Sequence, residues 1–491
     1  MRQGATWSAL RSPGQWRALS SGASLFMKGV RSSCVSGRTR YIFCQQCRRR
    51  EPVASARRGY IAARNVEHRG GGMGPNTGRQ LAGEQKWATQ PACREEVDAL
   101  PSLVLAVRLS LGSAIALGFV RFSYALLLPA MKADLGWTFT EAGAMNTANA
   151  AGYLIGAAAF PALARRCRNS ALFAAGAYVA IILMALCGLV SEMPVLLAQR
   201  LVAGIGSAFI FISGGVLAAR LATAARRRAG LILGLYYGGT GYGIVLSSII
   251  VPATVRPVPH GWQPAWFALG AACAVCTLIA RGAARSIDDA VAASSASGPG
   301  RAIGHPTAWS SFSPALFGYC LFGVGYIGYM TFVVALLRSE GMSQSVVFTF
   351  YFTLGVATIV SASLWSGFLD RVRGGAALAT FNALLALATI VPAFIVHPVA
   401  VVVSAAIFGS TFLSAVASTT AFVWHNLPSN EWSRGISAFT IVFALGQIAG
   451  PVAIGWAADN KGLERGLGYS CAALLAGAFL AALQRRLTRS G

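Results

Sequence analysis

Two arginines stand inside long apolar runs of this 491-residue chain: Arg121, in Gly118-Phe-Val-Arg-Phe-Ser-Tyr124, and Arg200, in Arg200-Leu-Val-Ala-Gly-Ile-Gly206. A guanidinium in such a run costs roughly 2.5–3.5 kcal/mol on membrane-insertion scales, so it usually faces a cavity and marks function. Its flat fork of donors suits a carboxylate or a phosphate. No Asp or Glu stands within the same runs to neutralise either residue. The pair therefore points to an anionic ligand. The competing readings are that Arg121 snorkels outward and that Arg200 bonds backbone carbonyls. Tyr124, Asn146, Asn149, Tyr153, Tyr236, Tyr326, Tyr329, Trp365 and Gln447 are the other candidates for lining a cavity. Asn146 and Tyr153 are seven residues apart and Asn149 is three from Asn146, which puts them on one helix face. For each of these residues, a hydrogen bond between helices competes equally with ligand contact.

The elements that must position these residues are apolar stretches of about 20 residues, long enough to cross a bilayer. Twelve are expected, at approximately 103–131, 140–164, 170–190, 194–222, 228–252, 262–282, 313–337, 344–369, 375–396, 398–424, 433–458 and 466–486. No water in the hydrocarbon satisfies a free backbone group, so all must be helices. With 55% hydrophobic and 12% charged residues, the composition fits a multispanning membrane protein and not a soluble one. Shifting the chain by 205 positions superimposes Gly118 on Gly323, Tyr124 on Tyr329, Gly136 on Gly341, Arg166 on Arg371 and Arg168 on Arg373. The membrane region is therefore an internal repeat of two six-helix halves, a plan that places a binding site between the halves. The expected layout is a basic extension at 1–100, a first bundle at 101–282, a linker at 283–312 and a second bundle at 313–491.

The net charge of +25 does not indicate a nucleic-acid partner, because it is distributed in two other ways. Residues 1–100 carry 17 Lys and Arg against 6 Asp and Glu. This extension reads as a disordered basic tail, an organellar transit peptide, or untranslated sequence ahead of a start at Met73, the reading we favour. The remaining basic residues cluster at helix ends. Sixteen arginines fall in the even-to-odd loops and the C-terminal tail, against five basic residues in the odd-to-even loops. That bias expects both termini in the cytoplasm. Cys44-Gln-Gln-Cys47 lacks a second half with zinc-site spacing, and no metal or cofactor is expected. Direct ATP coupling is not expected either, because the chain has no Gly-x-x-x-x-Gly-Lys-Ser/Thr loop.

Several short runs carry a family resemblance. The loop Gly367-Phe-Leu-Asp370-Arg371-Val-Arg373-Gly-Gly375 resembles the loop signature of the major facilitator superfamily. The run from Arg200 to Gly206 resembles that superfamily's helix-4 motif. In helix 11, Gly446-Gln-Ile-Ala-Gly450-Pro451 is similar to its Gly-Pro motif, which normally belongs to helix 5. Gly118–Met131, Asp134-Leu-Gly136 and Asn149–Gly156 look like the YbfB/YjiJ-type group of these transporters. The resemblance covers about 101–486. It implies an all-α membrane fold of two pseudo-symmetric six-helix bundles, working as a monomer that moves a small solute across a lipid bilayer by alternating access. A bacterial inner membrane is the implied location, and an organic anion is the favoured cargo. It also implies a gate at Arg166, Arg168, Asp370, Arg371 and Arg373. The first half departs from the pattern, since Arg165 occupies the position that matches Asp370 and the usual acidic partner is missing. Protons are a candidate coupling ion through Glu141, with uniport and exchange equally open. A transport-inactive receptor, a membrane enzyme and a carrier of neutral or cationic solutes are the alternatives. The enzyme reading is disfavoured, because no His/carboxylate or Ser/His/Asp cluster lies near a membrane face.

Overall fold

The computed structural model describes residues 91–224, 229–294, 309–427 and 431–486. The basic extension up to residue 90, with Cys44, Cys47 and Met73, lies outside them, as do Arg226–Arg228, Arg301 and Arg489. The first membrane helix, α1, has three parts: an α-helical stretch Pro91–Ser113, a π-helical stretch Ala114–Phe122 and an α-helical stretch Tyr124–Leu135. There follow α2 (Phe139–Ala164), α3 (Asn169–Cys187), α4 (Met193–Ala224), α5 (Ala229–Thr254) and α6 (Gln263–Ser294). The second set is α7 (Ser313–Ser339), α8 (Gln344–Arg371), α9 (Ala376–Phe394), α10 (Pro398–Asn426), α11 (Trp432–Lys461) and α12 (Leu463–Leu483). The twelve expected helices are all present. The sixth runs on to Ser294, well past the expected break at 282, so part of the presumed linker is helix.

Ten of the twelve are long and apolar enough to span a membrane. The two that fall short, α2 and α5, are diluted by Asn, Thr, Tyr and Gly. Their packing explains the dilution. In the first half α2 packs on α4, α3 on α6 and α1 on α5; in the second α8 packs on α10, α9 on α12 and α7 on α11. Each pair in one half is thus the other's counterpart six helices on. Between the halves α2 packs on α11, and α5 on α8. These two contacts are equivalent under the same exchange, so α2 and α5 show only part of their surface to lipid. The repeat is visible in single residues too. Gly136 and Gly341, 205 apart, end α1 and follow α7 with φ of 67° and 72°, a backbone that disfavours a Cβ.

The end of the bundle where α6 leaves and α7 begins is the linker end. Hydrogen bonds join the halves toward the opposite end. Asp459 on α11 accepts from the backbone N–H of Phe139 (2.7 Å) and Thr140 (2.9 Å) and from the Thr140 hydroxyl (2.6 Å). A carboxylate of one half thereby caps the first turn of a helix in the other, where the helix dipole favours negative charge. The Thr147 hydroxyl donates to the Ile448 carbonyl (2.8 Å), and the Tyr351 hydroxyl on α8 to the Phe122 carbonyl on α1 (2.5 Å). Every residue from Gly325 to Leu337 of α7 is buried here. Replacing Asp459 by Ala should loosen this end. A single cysteine introduced at Thr147 should then react faster with a maleimide applied from that side, and an unchanged rate would exclude Asp459 as a latch.

Candidate functional site

The π-helical stretch of α1 is the pivot of the site. Its wider turn is seen in the Ser123 N–H, which reaches back five residues to the Gly118 carbonyl (3.0 Å). Such turns disturb the regular ladder and recur at functional sites. Side chains supply donors to the carbonyls of this stretch. Ser207 donates to Ala116 (2.5 Å), Arg200 Nη1 to Val120 (2.6 Å) and Ser123 to Phe119 (2.5 Å). Tyr351 adds its bond to Phe122 from the other half.

Arg200 is completely buried, and both of its terminal nitrogens are spent on structure, while its Nε has no partner. Besides Val120 it reaches Asn146 Oδ1 through Nη2 (3.3 Å). Its guanidinium lies over the rings of Tyr124 (5.6 Å) and Trp266 (5.7 Å), contacts that spread the charge over aromatic faces. Asn146 passes the link across the halves, its Nδ2 donating to Thr331 Oγ1 on α7 (2.9 Å). Asn149 donates to the Arg200 carbonyl (3.2 Å). The competing sequence reading of Arg200, bonding to backbone, is what the geometry displays.

Arg121 differs. It sits in the π-helical stretch at 2% exposure, so it does not snorkel to solvent. Its Nε and Nη2 are buried and have no hydrogen-bond partner. These two nitrogens form one edge of the guanidinium, with N–H bonds pointing the same way, which is the edge that grips a carboxylate bidentately. Around it stand Tyr153, whose ring lies 5.8 Å from the guanidinium carbon, and Tyr326 of α7, within its electrostatic reach. Tyr326 accepts a hydrogen bond from Gln447 Nε2 (2.5 Å). Tyr326 and Arg121 are repeat-equivalent residues, so the pseudo-symmetry brings both to the junction of the halves.

The other candidates are placed less centrally. Tyr124, Tyr236 and Tyr329 bond the Ala142 carbonyl (2.8 Å), the Phe211 carbonyl (2.9 Å) and Ser404 Oγ (2.8 Å). Trp365 packs edge-on against Phe381 and Phe368, with its indole N–H unpartnered. Glu141 forms a capping box with Thr138, accepting from its N–H (2.8 Å) while the Glu141 N–H donates to the Thr138 hydroxyl (3.1 Å). Arg166, Asp370, Arg371 and Arg373 are exposed at the linker end. Arg168 is there too, paired with Asp288 (3.6 Å) and Asp289 of α6. Asp288 also binds Arg220 (3.0 Å) and accepts from the Ser170 N–H (3.0 Å) at the start of α3. An acidic partner for the first-half arginines therefore exists, supplied by the part of α6 that the sequence reading assigned to the linker.

A family described as "Uncharacterised MFS-type transporter YbfB" matches residues 113–484. The chain belongs to this family of major facilitator transporters. Two solved transporters share the fold. The nucleoside transporter NupG is 13% identical, with a TM-score of 0.59 over 77% of this chain and 98% of its own. A bacterial homologue of the human lysosomal transporter Spinster, in an inward-facing and unoccupied conformation, is 14% identical, with a TM-score of 0.55 over 81% of this chain and 97% of its own. No curated protein matches. This YbfB-type transporter is thus a multi-pass membrane protein of two six-helix halves, with two buried guanidiniums beside the junction.

Their different bonding gives a contrast to test. Arg200→Ala should strip donors from Val120 and Asn146, with a cost of about 2–4 kcal/mol and a lower thermal midpoint in detergent. Arg121→Ala removes no internal hydrogen bond and should leave that midpoint close to the parent's. Equal midpoints for the two variants would contradict this division. Asp288→Ala should cost less, about 1 kcal/mol, since both of its arginine partners keep access to water.

Proposed function

We propose that this protein is a secondary active transporter that moves a small organic anion by alternating access, with Arg121 as the group that binds the negative charge. The observation that carries the reading is the free Nε/Nη2 edge of Arg121, buried at the junction of the halves. Buried polar groups are almost always satisfied, and an unsatisfied one calls for an explanation. An anionic solute supplies both missing acceptors and neutralises a charge that is costly in a low-dielectric site. Arg200, locked to the π-helical backbone, holds the turn that presents Arg121. Asn146 and Thr331 tie that turn to the second half.

The remaining roles follow the same frame. Both termini lie in the cytoplasm of a bacterial inner membrane, as the arginine-rich linker end suggests. With that orientation, the bonds from Asp459 and Thr147 close the outer face, and the arrangement is inward-open. Tyr153, Tyr326 and Gln447 line the solute's path; Tyr124, Asn149, Tyr236, Tyr329 and Trp365 support its walls. Arg166, Arg168, Asp370, Arg371 and Arg373 serve the inner gate. Protons drive transport through Glu141, which stands in the turn of α2 that Asp459 holds.

Proteoliposomes containing the full chain should show protein-dependent uptake of labelled organic acids, stimulated by an imposed pH gradient. Arg121→Ala should abolish it, and Arg121→Lys should reduce it by about tenfold or more, because an ammonium cannot offer two parallel donors. Glu141→Gln should remove the stimulation by the gradient while leaving counterflow exchange intact. Undiminished uptake by Arg121→Ala would overturn the anion site. Binding of an acid without any movement would favour a receptor.

A further inference from the structure

The walls of the path carry more information than its charge. On the second half, Tyr319, Phe322 and Tyr326 of α7 form a set of nearly parallel rings with Phe443 of α11. Tyr319 and Phe443 are 4.8 Å apart at 18°, Phe322 and Tyr326 4.9 Å apart at 16°, and Tyr326 and Phe443 5.6 Å apart at 17°. Phe412 of α10 continues the set beyond Tyr326 at 6.3 Å and 11°. Aromatic neighbours adopt edge-to-face contacts as readily as stacked ones. Elsewhere in this molecule they do so, as in Phe312–Phe422 at 90° and Trp365–Phe381 at 87°. The near-parallel set runs on through Phe408 to Tyr329, so the inner wall of the second half is a band of ring faces, with Tyr326 at the register of Arg121.

The first half faces it with Tyr153, Phe211 and Tyr237, packed on one another at centroid distances of 6.5 and 5.5 Å. The Tyr153 ring lies 5.8 Å from the guanidinium carbon of Arg121, so this wall reaches the depth of Arg121. Phe443, Phe211 and Tyr153 are only partly buried, and Tyr237 is 40% exposed. Ring faces and edges are thus open along the path and closed only where it ends at Arg121.

Resting on the organic-anion reading above, we propose that the solute is a flat aromatic monocarboxylate of the size of benzoate or 4-hydroxybenzoate. Its carboxylate takes the Nε/Nη2 edge of Arg121, and its ring adds to the stack of Tyr326 and Phe443. Several observations select this class. Of the two guanidiniums, only Arg121 has an edge with both donors free, and a single carboxylate matches it. The second guanidinium is already bound to Val120 and Asn146, so a dianion would find one charge answered and the other stranded. A ring can make face contacts with these aromatic side chains that an aliphatic acid cannot. The Tyr326 oxygen accepts from Gln447, so its own hydrogen can be donated to a solute oxygen.

The test is protein-dependent counterflow in proteoliposomes of the full chain, using labelled benzoate and 4-hydroxybenzoate against acetate, lactate and inorganic phosphate. Arg121→Ala liposomes supply the background, which removes passive weak-acid flux. The aromatic acids should exceed the others by at least about tenfold in kcat/KM, a ratio that lost ring contacts can produce. Phe443→Ala and Tyr326→Leu should raise KM for benzoate several-fold. Phe443→Leu, which keeps the volume without the ring face, should do the same if the variant with Ala fails to fold. Lactate or acetate moving as well as benzoate would overturn the aromatic class and leave the anion reading standing. So would a KM for benzoate unmoved by all three substitutions, whereas phosphate as the preferred ion would overturn the organic-anion reading as well. No movement of any of these anions would overturn both.

Discussion

A backbone carbonyl in the middle of a membrane protein must find a donor, and in this structure that requirement governs the position of everything else near the junction. The π-helical turn of α1 displaces the regular ladder of bonds from Ala114 to Phe122. In water, solvent would repair the disturbance. Here the repair comes from Ser207, Ser123, Tyr351 and above all Arg200. A guanidinium is a demanding choice for this role, because it brings a charge that must itself be accommodated. Tyr124, Trp266 and Asn146 accommodate it. The outcome is a knot of α1, α2 and α4 beside which Arg121 keeps its whole Nε/Nη2 edge without a partner.

The two halves are built on one plan, and the site departs from it. Their packing partners correspond helix for helix, and Gly136 and Gly341 repeat the same left-handed turn. Tyr124 and Tyr329, also equivalent, each anchor within their own half, to Ala142 and to Ser404. At the position of Arg121, however, the second half offers Tyr326. Charge comes from one side and a ring from the other. A repeat that kept both copies identical would place either two cations or two phenols at the centre. Divergence at this one register position puts a cation in the first half where the second half has a ring.

Much of this was legible in the sequence, and the parts that were not share a cause. Helix number, the 205-residue repeat and the exceptional status of Arg121 and Arg200 follow from apolar length, constant offset and the cost of charge in hydrocarbon. Asn146 was legible as a polar residue on a cavity-facing surface, but its partner Thr331 was not, because nothing local marks one threonine of α7 among its neighbours. The π-helical turn has no signature at all in Gly118–Tyr124. It arises from tertiary donors that lie tens to hundreds of residues away. The acidic partner of Arg168 was missed for a different reason. The end of α6, Arg285 to Ser294, is polar enough to read as linker, yet it continues as helix and delivers Asp288 to the start of α3. Hydropathy marks where a helix leaves the hydrocarbon, not where it stops.

The end of the bundle opposite the linker is fastened lightly. Its fastenings are a helix cap, a hydroxyl bond and an amide bond: Asp459 on the first turn of α2, Thr147 on Ile448, and Gln344 Nε2 on the Pro252 carbonyl at 3.4 Å. None buries a charge pair deeply, and each leaves groups that water can satisfy once the contact parts. Their net contributions are each about 1 kcal/mol, so together these bonds add a few kcal/mol to the packing of this end. That is the range in which binding one solute can shift the population between two arrangements. By contrast, the Arg200 knot lies wholly within one half and need not break when the halves move. The links from Asn146 to Thr331 and from Tyr351 to Phe122 are the exceptions. They join that knot and the π-helical stretch to the second half, so whatever satisfies Arg121 acts beside the buried bonds that connect the two halves.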